Sequence, residues 1–217
     1  MKHHTARALC LLSLFLGFQD FAMTAEEPKH TVLEQSGDFE LRAYDSMIVA
    51  ETFITGEMDG ASNEGFRRIA GYIFGKNSAP SGDSEKIAMT APVTMQAVSA
   101  EIAMTTPVTS SQIDGEWRVQ FVMPRGYTLD TLPVPDDTRV TLREVPRSHY
   151  AVLRFSGLVS EKKRAAKTKD LMVLVQDRDL RVMGVPLLAR YDPPWTLPFL
   201  RRNEVMIQYL STNEKVN

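Results

Sequence analysis

This chain of 217 residues is poor in the side chains that metal and redox chemistry most often use. It has one cysteine, Cys10, and four histidines, His3, His4, His30 and His149. Cys10 lies early in an apolar run from Ala8 to Phe18, after Lys2 and Arg7 and before the small residues Ala22, Thr24 and Ala25. A charged start, an apolar stretch of roughly 7–15 residues and small residues at its end make a secretory signal peptide, here residues 1–25. The run falls well short of the ~20 apolar residues that a spanning helix needs. Cleavage after Ala25 would remove the only thiol, and with it disulfides, thiolate metal sites, cysteine nucleophiles and covalent haem attachment through Cys-x-x-Cys-His. The expected location is secreted or periplasmic, with no stable membrane span after cleavage. Charge of one sign is lacking too. Twenty-five Lys and Arg face 27 Asp and Glu, which argues against a sequence-independent grip on nucleic acid. No Gly-x-Ser-x-Gly elbow, phosphate-binding glycine loop or pair of metal-ligand histidines is present. Asp136-Asp137 is an acidic pair in a proline-bounded loop, where solvation is the default. A non-catalytic binding protein is therefore expected, with no metal site.

What the chain does have is a repeat. Ile87-Ala88-Met89-Thr90-Ala91-Pro92-Val93-Thr94 returns as Ile102-Ala103-Met104-Thr105-Thr106-Pro107-Val108-Thr109, differing only at Ala91 and Thr106. The segment holds no His, Cys or carboxylate. It supplies β-branched residues, a methionine and a proline where ladder bonding ends, so it reads as a strand. The second copy reads as an added strand or hairpin arm. Its methionines serve either as core or as a soft apolar wall for a planar ligand.

After a polar linker, 26–36, Phe39, Leu41 and Ala43 alternate with Glu40, Arg42 and Tyr44, the period of a strand. Met47–Ile54 is a second strand after the turn at Asp45-Ser46. Asp59–Asn77 switches to helical period, with Phe66, Ile69, Ala70, Ile73 and Phe74 on one face and Gly75 as a stop. Trp117–Met123 is a further strand. Thr138–Val145 and His149–Ser156 follow, then a helix capped by Ser160 and running to about Gln176, then strands at Val185–Tyr191 and Glu204–Leu210. The order is β-β-α-β-β twice, with short turns that imply antiparallel pairing. The predicted fold class is α+β, a distorted antiparallel β-barrel from two β-β-α-β-β halves with two flanking helices, over residues 37–211 and with a tail at 212–217. The cleft between helix and sheet is the natural ligand site.

Six strings, in order, resemble the SOUL haem-binding protein family. They are Tyr72-Ile73-Phe74-Gly75-Lys76-Asn77, Lys86–Val93, Phe121-Val122-Met123-Pro124, Phe155-Ser156-Gly157, Tyr191-Asp192-Pro193-Pro194 and Arg201-Arg202-Asn203-Glu204-Val205. The resemblance runs from about Phe39 to Tyr209 and implies the barrel fold shared with small-molecule effector-binding domains. It also implies binding of haem or a related tetrapyrrole in a hydrophobic cleft. Some members carry an iron-ligating histidine just before the tyrosine of the first strand; Ala43 stands at that place here and cannot ligate iron. Others meet a propionate with a basic residue near the Tyr-x-x-Gly end of the first helix, and the nearest counterpart is Gly71, which has no side chain. Arg67 and Arg68, one turn earlier, are the candidate anion contacts.

His30 falls in the linker and His149 precedes a strand, neither placed as a haem ligand. The expected function is non-catalytic binding of haem or another hydrophobic tetrapyrrole without a histidine axial ligand. The expected lining is Phe66, Arg67, Arg68, Ile69, Ala70, Ile73, Met89 and Met104. The competing expectation is a secreted structural or protein-interaction module whose cleft is closed by its own side chains. The basic cluster Lys162, Lys163, Arg164, Lys167 and Lys169 reads as a solvated helix face, with propionates or an anionic membrane surface as the sharper alternatives.

Overall fold

The computed structural model describes residues 25–98 and 115–211. Residues 1–24 of the expected signal peptide, the second repeat copy with Met104, and the tail from 212 lie outside the described residues. The strands are β1 (His30–Ser36), β2 (Phe39–Tyr44), β3 (Met47–Thr55), β4 (Asn77–Ser78), β5 (Val93–Ala97), β6 (Glu116–Val122), β7 (Val134–Pro135), β8 (Thr141–Val145), β9 (Ser148–Ser156), β10 (Val182–Arg190) and β11 (Arg202–Tyr209). The helices are α1 (Met58–Ile73) and α2 (Glu161–Gln176), and a 3₁₀ turn spans Pro198–Leu200.

Nine strands form one antiparallel sheet in the order β1-β2-β9-β11-β10-β5-β6-β3-β8, while β4 and β7 pair separately. The two β-β-α-β-β halves are visible in that order. Setting β1 aside, β2-β9-β11-β10 mirrors β8-β3-β6-β5 across the β10–β5 junction, so each half lends its first strand to the other. The result is a mostly antiparallel sheet curled into a half-barrel with two helices, an α+β fold. The curl follows from distance. Tyr150 of β9 feels the charges of Arg118 on β6 and Arg143 on β8, yet β9 and β6 lie four strand spacings apart, about 19 Å if the sheet were flat.

The faces differ in chemistry because side chains alternate along a strand. Trp117, Val119 and Phe121 of β6, Ala50 and Ile54 of β3, and Val205, Ile207 and Tyr209 of β11 face the helices and make the main core. Helix α1 packs on β3 and β6, and α2 on β9, β10 and β11. The stripe Met58, Ala61, Gly65, Ile69 and Tyr72, buried at steps of three and four, is what seats α1. Helix α2 starts at Ser160, whose hydroxyl accepts a hydrogen bond from the Lys163 N–H. Ser160→Ala should lower stability by about 1 kcal/mol, read as a shift in urea midpoint with unchanged slope.

The inside of the curl combines a smaller apolar cluster of Tyr44, Val152, Ala189 and Met206 with buried charge. The Arg42 guanidinium, only 1% exposed, donates to both carboxylate oxygens of the fully buried Glu204 at 2.9 and 3.0 Å. It also bonds Glu40 at 2.7 Å and the Tyr44 hydroxyl at 2.9 Å. Nearer the β8 edge, Glu51 accepts from Arg143 at 3.1 Å and from Gln120 at 2.7 Å.

Three local expectations are corrected. The segment read as a linker holds β1, paired along β2 with a register shift between Val32 and Glu34. His30 is part of that strand, its Nδ1 3.1 Å from the Pro28 carbonyl and its ring 4.9 Å from that of Tyr44. Helix α1 stops at Ile73 rather than Asn77, because Gly75 turns the chain at φ +110° and Asn77 is buried, donating to the Tyr72 and Glu85 carbonyls. In the first repeat copy only Val93 and Thr94 lie in a strand; Ile87 and Ala91 are buried in the core outside any strand.

Candidate functional site

The residues expected to line a cleft along α1 divide into two groups. Ile69 and Ile73 are at most 1% exposed and Ala70 is buried as well, so the helix–sheet interface beneath α1 is packed core and no open cleft. Met89 is half-buried against that core. Arg68 bonds Thr52 and Glu64 and lies 4.0 Å from Asp137, so its charge is already shared. Asp137 is in turn held down to about 2 by the Arg139 guanidinium beside it. What α1 offers to solvent is Phe66, whose ring sits 5.4 Å from the buried ring of Phe121, and Arg67, which donates to the Asn63 carbonyl.

A second apolar surface adjoins the start of α1. Between β10 and β11 the chain reads Asp192-Pro193-Pro194-Trp195-Thr196-Leu197-Pro198-Phe199-Leu200-Arg201. Trp195, Leu197, Phe199 and Leu200 are each more than half exposed, Trp195 at 82%. Their exposure is built in. Three prolines restrict the backbone, and Arg201 fixes the loop by donating to the Thr196 and Pro194 carbonyls. The loop leaves the sheet beside α1, because Arg190, the last residue of β10, donates to the Ser62 hydroxyl at 3.1 Å. Arg190 pairs with Val93 and Val93 with Phe121, the residue under Phe66, so ladder contacts link both apolar surfaces.

Two guanidiniums stand at the base of this loop. Arg190 is half-buried; its Nε meets no partner, and Asp59 lies 3.8 Å from its Nη2 with its own side chain 74% exposed. Burial pushes the Arg190 pKa down, Asp59 pulls it back up, and Arg201 pushes it down again. A half-buried cation whose only acidic neighbour among the described residues is largely solvated, with a second cation beside it, favours an anionic group.

Neither described histidine reaches this end. His149 is the second residue of β9 and Ser156, paired with Arg202, closes it; those seven steps are about 23 Å. His30 pairs with Tyr44, which pairs with Ser148, at the same far end as His149. Among the described residues no group of three His, Cys, Asp or Glu could hold a metal ion, and no helix is long and apolar enough to cross a membrane.

The buried network inside the curl has no spare base. Burial raises the Glu204 carboxyl, but the bonds from Arg42 and Tyr191 and the Arg202 charge win and hold it below its ordinary range. Burial opposes the Arg42 charge, and Glu204 with Tyr44 raises it overall. Burial and then Glu204 push Tyr191 up, so it stays a neutral donor. A cavity of about 580 Å³ lies elsewhere, between the Glu26–Lys29 segment, the β2–β3 turn and residues 122–130. Five carboxylates against Lys29 and Arg125 line it, the wrong balance for a ligand bearing acidic groups.

The loop went unassigned as a site in the sequence because Asp192-Pro193-Pro194 reads as turn chemistry. The usable signal was its four large apolar residues within six positions, flanked by arginines.

Comparison with known proteins gives three findings. The family model described as SOUL heme-binding protein matches residues 25–208. Heme-binding protein 1 of Xenopus laevis is 26% identical over 168 residues, 77% of this chain and 81% of that protein. Two solved structures share the fold: the EcmrR C-terminal domain, at 13% identity and TM-score 0.55, covering 82% of this chain and 98% of that one, and a hydrolase from Listeria innocua, at 13% identity and TM-score 0.53, covering 82% and 94%.

Proposed function

This chain belongs to the SOUL heme-binding family, and from that premise we propose that it binds haem or a related tetrapyrrole without catalysis and without a histidine axial ligand. The observation that carries the site is the apolar loop from Trp195 to Leu200 with Arg190 and Arg201 at its base, beside Phe66 on α1. A tetrapyrrole has a broad apolar face and an edge of carboxylates. Its face stacks on Trp195 and gains roughly 25 cal/mol per Å² removed from water. Its carboxylates meet Arg190 and Arg201, and Arg67 lies on the neighbouring helix surface. This moves the ligand from the packed interface beneath α1 to the outer edge of that helix. The closed interface at Ile69, Ala70 and Ile73 favours the alternative, a protein-interaction module, only for that inner cleft.

The protein supplies binding, orientation and shelter for the ring; a bound haem iron would supply the redox chemistry. The buried acids support the non-catalytic reading, since Glu51 and Glu204 are bonded to arginines and held as carboxylates. The charged start, apolar run and small residues at 1–25 support a secreted or periplasmic location.

Titration with haem and with metal-free protoporphyrin tests the reading. Trp195 is the exposed one of two tryptophans and Trp117 is buried, so quenching reports on the loop. Both ligands should bind one to one with similar affinity. Trp195→Ala should weaken each by about tenfold, roughly 1.4 kcal/mol, and Arg190→Gln should weaken them further than their methyl esters. A Soret shift with haem and no binding of the free porphyrin would overturn the coordination-free mode. No saturable binding to either would overturn the tetrapyrrole reading.

A further inference from the structure

We propose that the 3₁₀ turn of the β10–β11 loop, with Leu158 and the lysines that open α2, docks this protein on an anionic lipid surface. The turn lies beside β9. Just past the end of β9, Leu158 is 62% exposed, and the turn adds Leu197, Phe199 and Leu200, all above 50%. The Asn203 amide donates to the Gly157 carbonyl and Lys163 Nζ donates to the Ser156 carbonyl, so β11, the β9–α2 connection and the start of α2 meet at one end of the molecule. The apolar turn and the lysines therefore share that end.

Two features favour lipid as the occupant. First, six of the nine residues from Pro193 to Arg201 present no free N–H. From Pro193 to Arg201 three prolines have no N–H. Thr196, Leu200 and Arg201 donate within the loop, and the Arg201 side chain covers two of its carbonyls. The fewer such groups are left unpaired, the less it costs a segment to enter an apolar boundary. Second, cations collar the apolar tip. Lys162 is exposed and Lys163 half-exposed in the first turn of α2. Lysines there oppose the helix dipole, so helix stability does not account for them, whereas attraction to a negative surface does. The nearby acid Glu161 is taken by Arg164. A tip of Trp, Phe and Leu above a basic collar is the interfacial membrane pattern, while protein interfaces are depleted in lysine.

Co-flotation of the purified protein with vesicles free of tetrapyrrole is the test, using phosphatidylcholine alone and phosphatidylcholine mixed with phosphatidylglycerol. Binding to the mixed vesicles should be about tenfold tighter, should weaken in high salt, and should shift Trp195 emission to the blue. Phe199→Glu/Leu200→Glu should abolish binding to both vesicles while melting like the parent and retaining Trp195. Lys162→Gln/Lys163→Gln should remove the preference for phosphatidylglycerol and leave the weaker binding intact. Three results overturn the proposal: no flotation of the parent protein, flotation that survives Phe199→Glu/Leu200→Glu, or self-association in place of vesicle binding that this variant abolishes. The last would assign the patch to a second copy of the chain. Loss of tetrapyrrole binding would not affect any of these outcomes.

Discussion

Glu204→Gln is expected to destabilise this protein by about 3–5 kcal/mol, the usual result of stripping one partner from a buried ion pair. Glu204 is fully buried and accepts from Arg42 through both oxygens, from Tyr191 at 2.6 Å and from Arg202 at 3.0 Å. Glutamine keeps the shape but removes the charge, leaving the buried Arg42 with Glu40 alone. It also turns an NH₂ toward groups that are themselves donors. At roughly 2–4 °C per kcal/mol for a domain of this size, the midpoint should fall on the order of 10 °C. The pH dependence gives an independent check. The folded carboxyl is held below its ordinary value of 4.5, so its contribution is complete above that pH and is lost as pH falls through the folded value. Glu51 is lowered in the same direction by Arg143 and Gln120, against the opposing effect of burial. Denaturant midpoints should therefore be flat at neutral pH and drop below about pH 4.5, and the gap between parent and Glu204→Gln should narrow there. A gap constant down to pH 2 would mean that the carboxylate charge contributes nothing.

Period and punctuation made most of the fold legible. Alternation in β2, β3, β6 and β9 survives because one face packs into the main core, and Ser160 and Gly75 stand where the chain begins and leaves its helices. β1 was hidden because almost all of it is exposed and the register shift beside Leu33 breaks its alternation. The repeat misled for a different reason. Its β-branched residues are strand formers, but Thr90 bonds the Val122 carbonyl through its side chain, and the ladder of β5 starts only after Pro92. The site was the least legible part. Helical period places Ile69 and Ile73 on an apolar face, and a core face and a ligand face have the same period. Only tertiary packing tells them apart, and here it closes the inner face and leaves Phe66 outside. The buried charge was equally hidden, since Arg42 and Glu204 are 162 residues apart in the chain.

Gly65→Val should lower stability by about 3 kcal/mol, near the upper end of overpacking, and should weaken tetrapyrrole binding at the same time. Gly65 is a point of close approach between α1 and β6. A Cβ there would lie 2.6 Å from Val119 Cγ2 and 2.8 Å from Val119 Cβ. Val119 cannot yield easily. It is 1% exposed, stiff at χ1, and paired on both sides with Thr52 and Met95 in the sheet. The helix must therefore rise. Gly65→Ala sets two effects against each other, because alanine is worth up to about 1 kcal/mol over glycine within a helix. The close contact should still win, leaving a net loss of about 1 kcal/mol. Val119→Ala removes both Cγ atoms, leaving only its Cβ 2.8 Å from the new one, and alone should cost about 2 kcal/mol. The double variant should then be more stable than the sum of its parts by about 1 kcal/mol or more, measured in a denaturant double-mutant cycle. Additivity within about 0.5 kcal/mol would mean that the two residues do not contend for one space. The link to function is positional. Phe66 is the next residue, and Ser62, one turn earlier, holds Arg190 at the loop base. A helix lifted at Gly65 displaces both, so Gly65→Val should lose affinity for haem and metal-free protoporphyrin alike, and Gly65→Ala/Val119→Ala, which keeps only the Cβ–Cβ contact, should recover part of it.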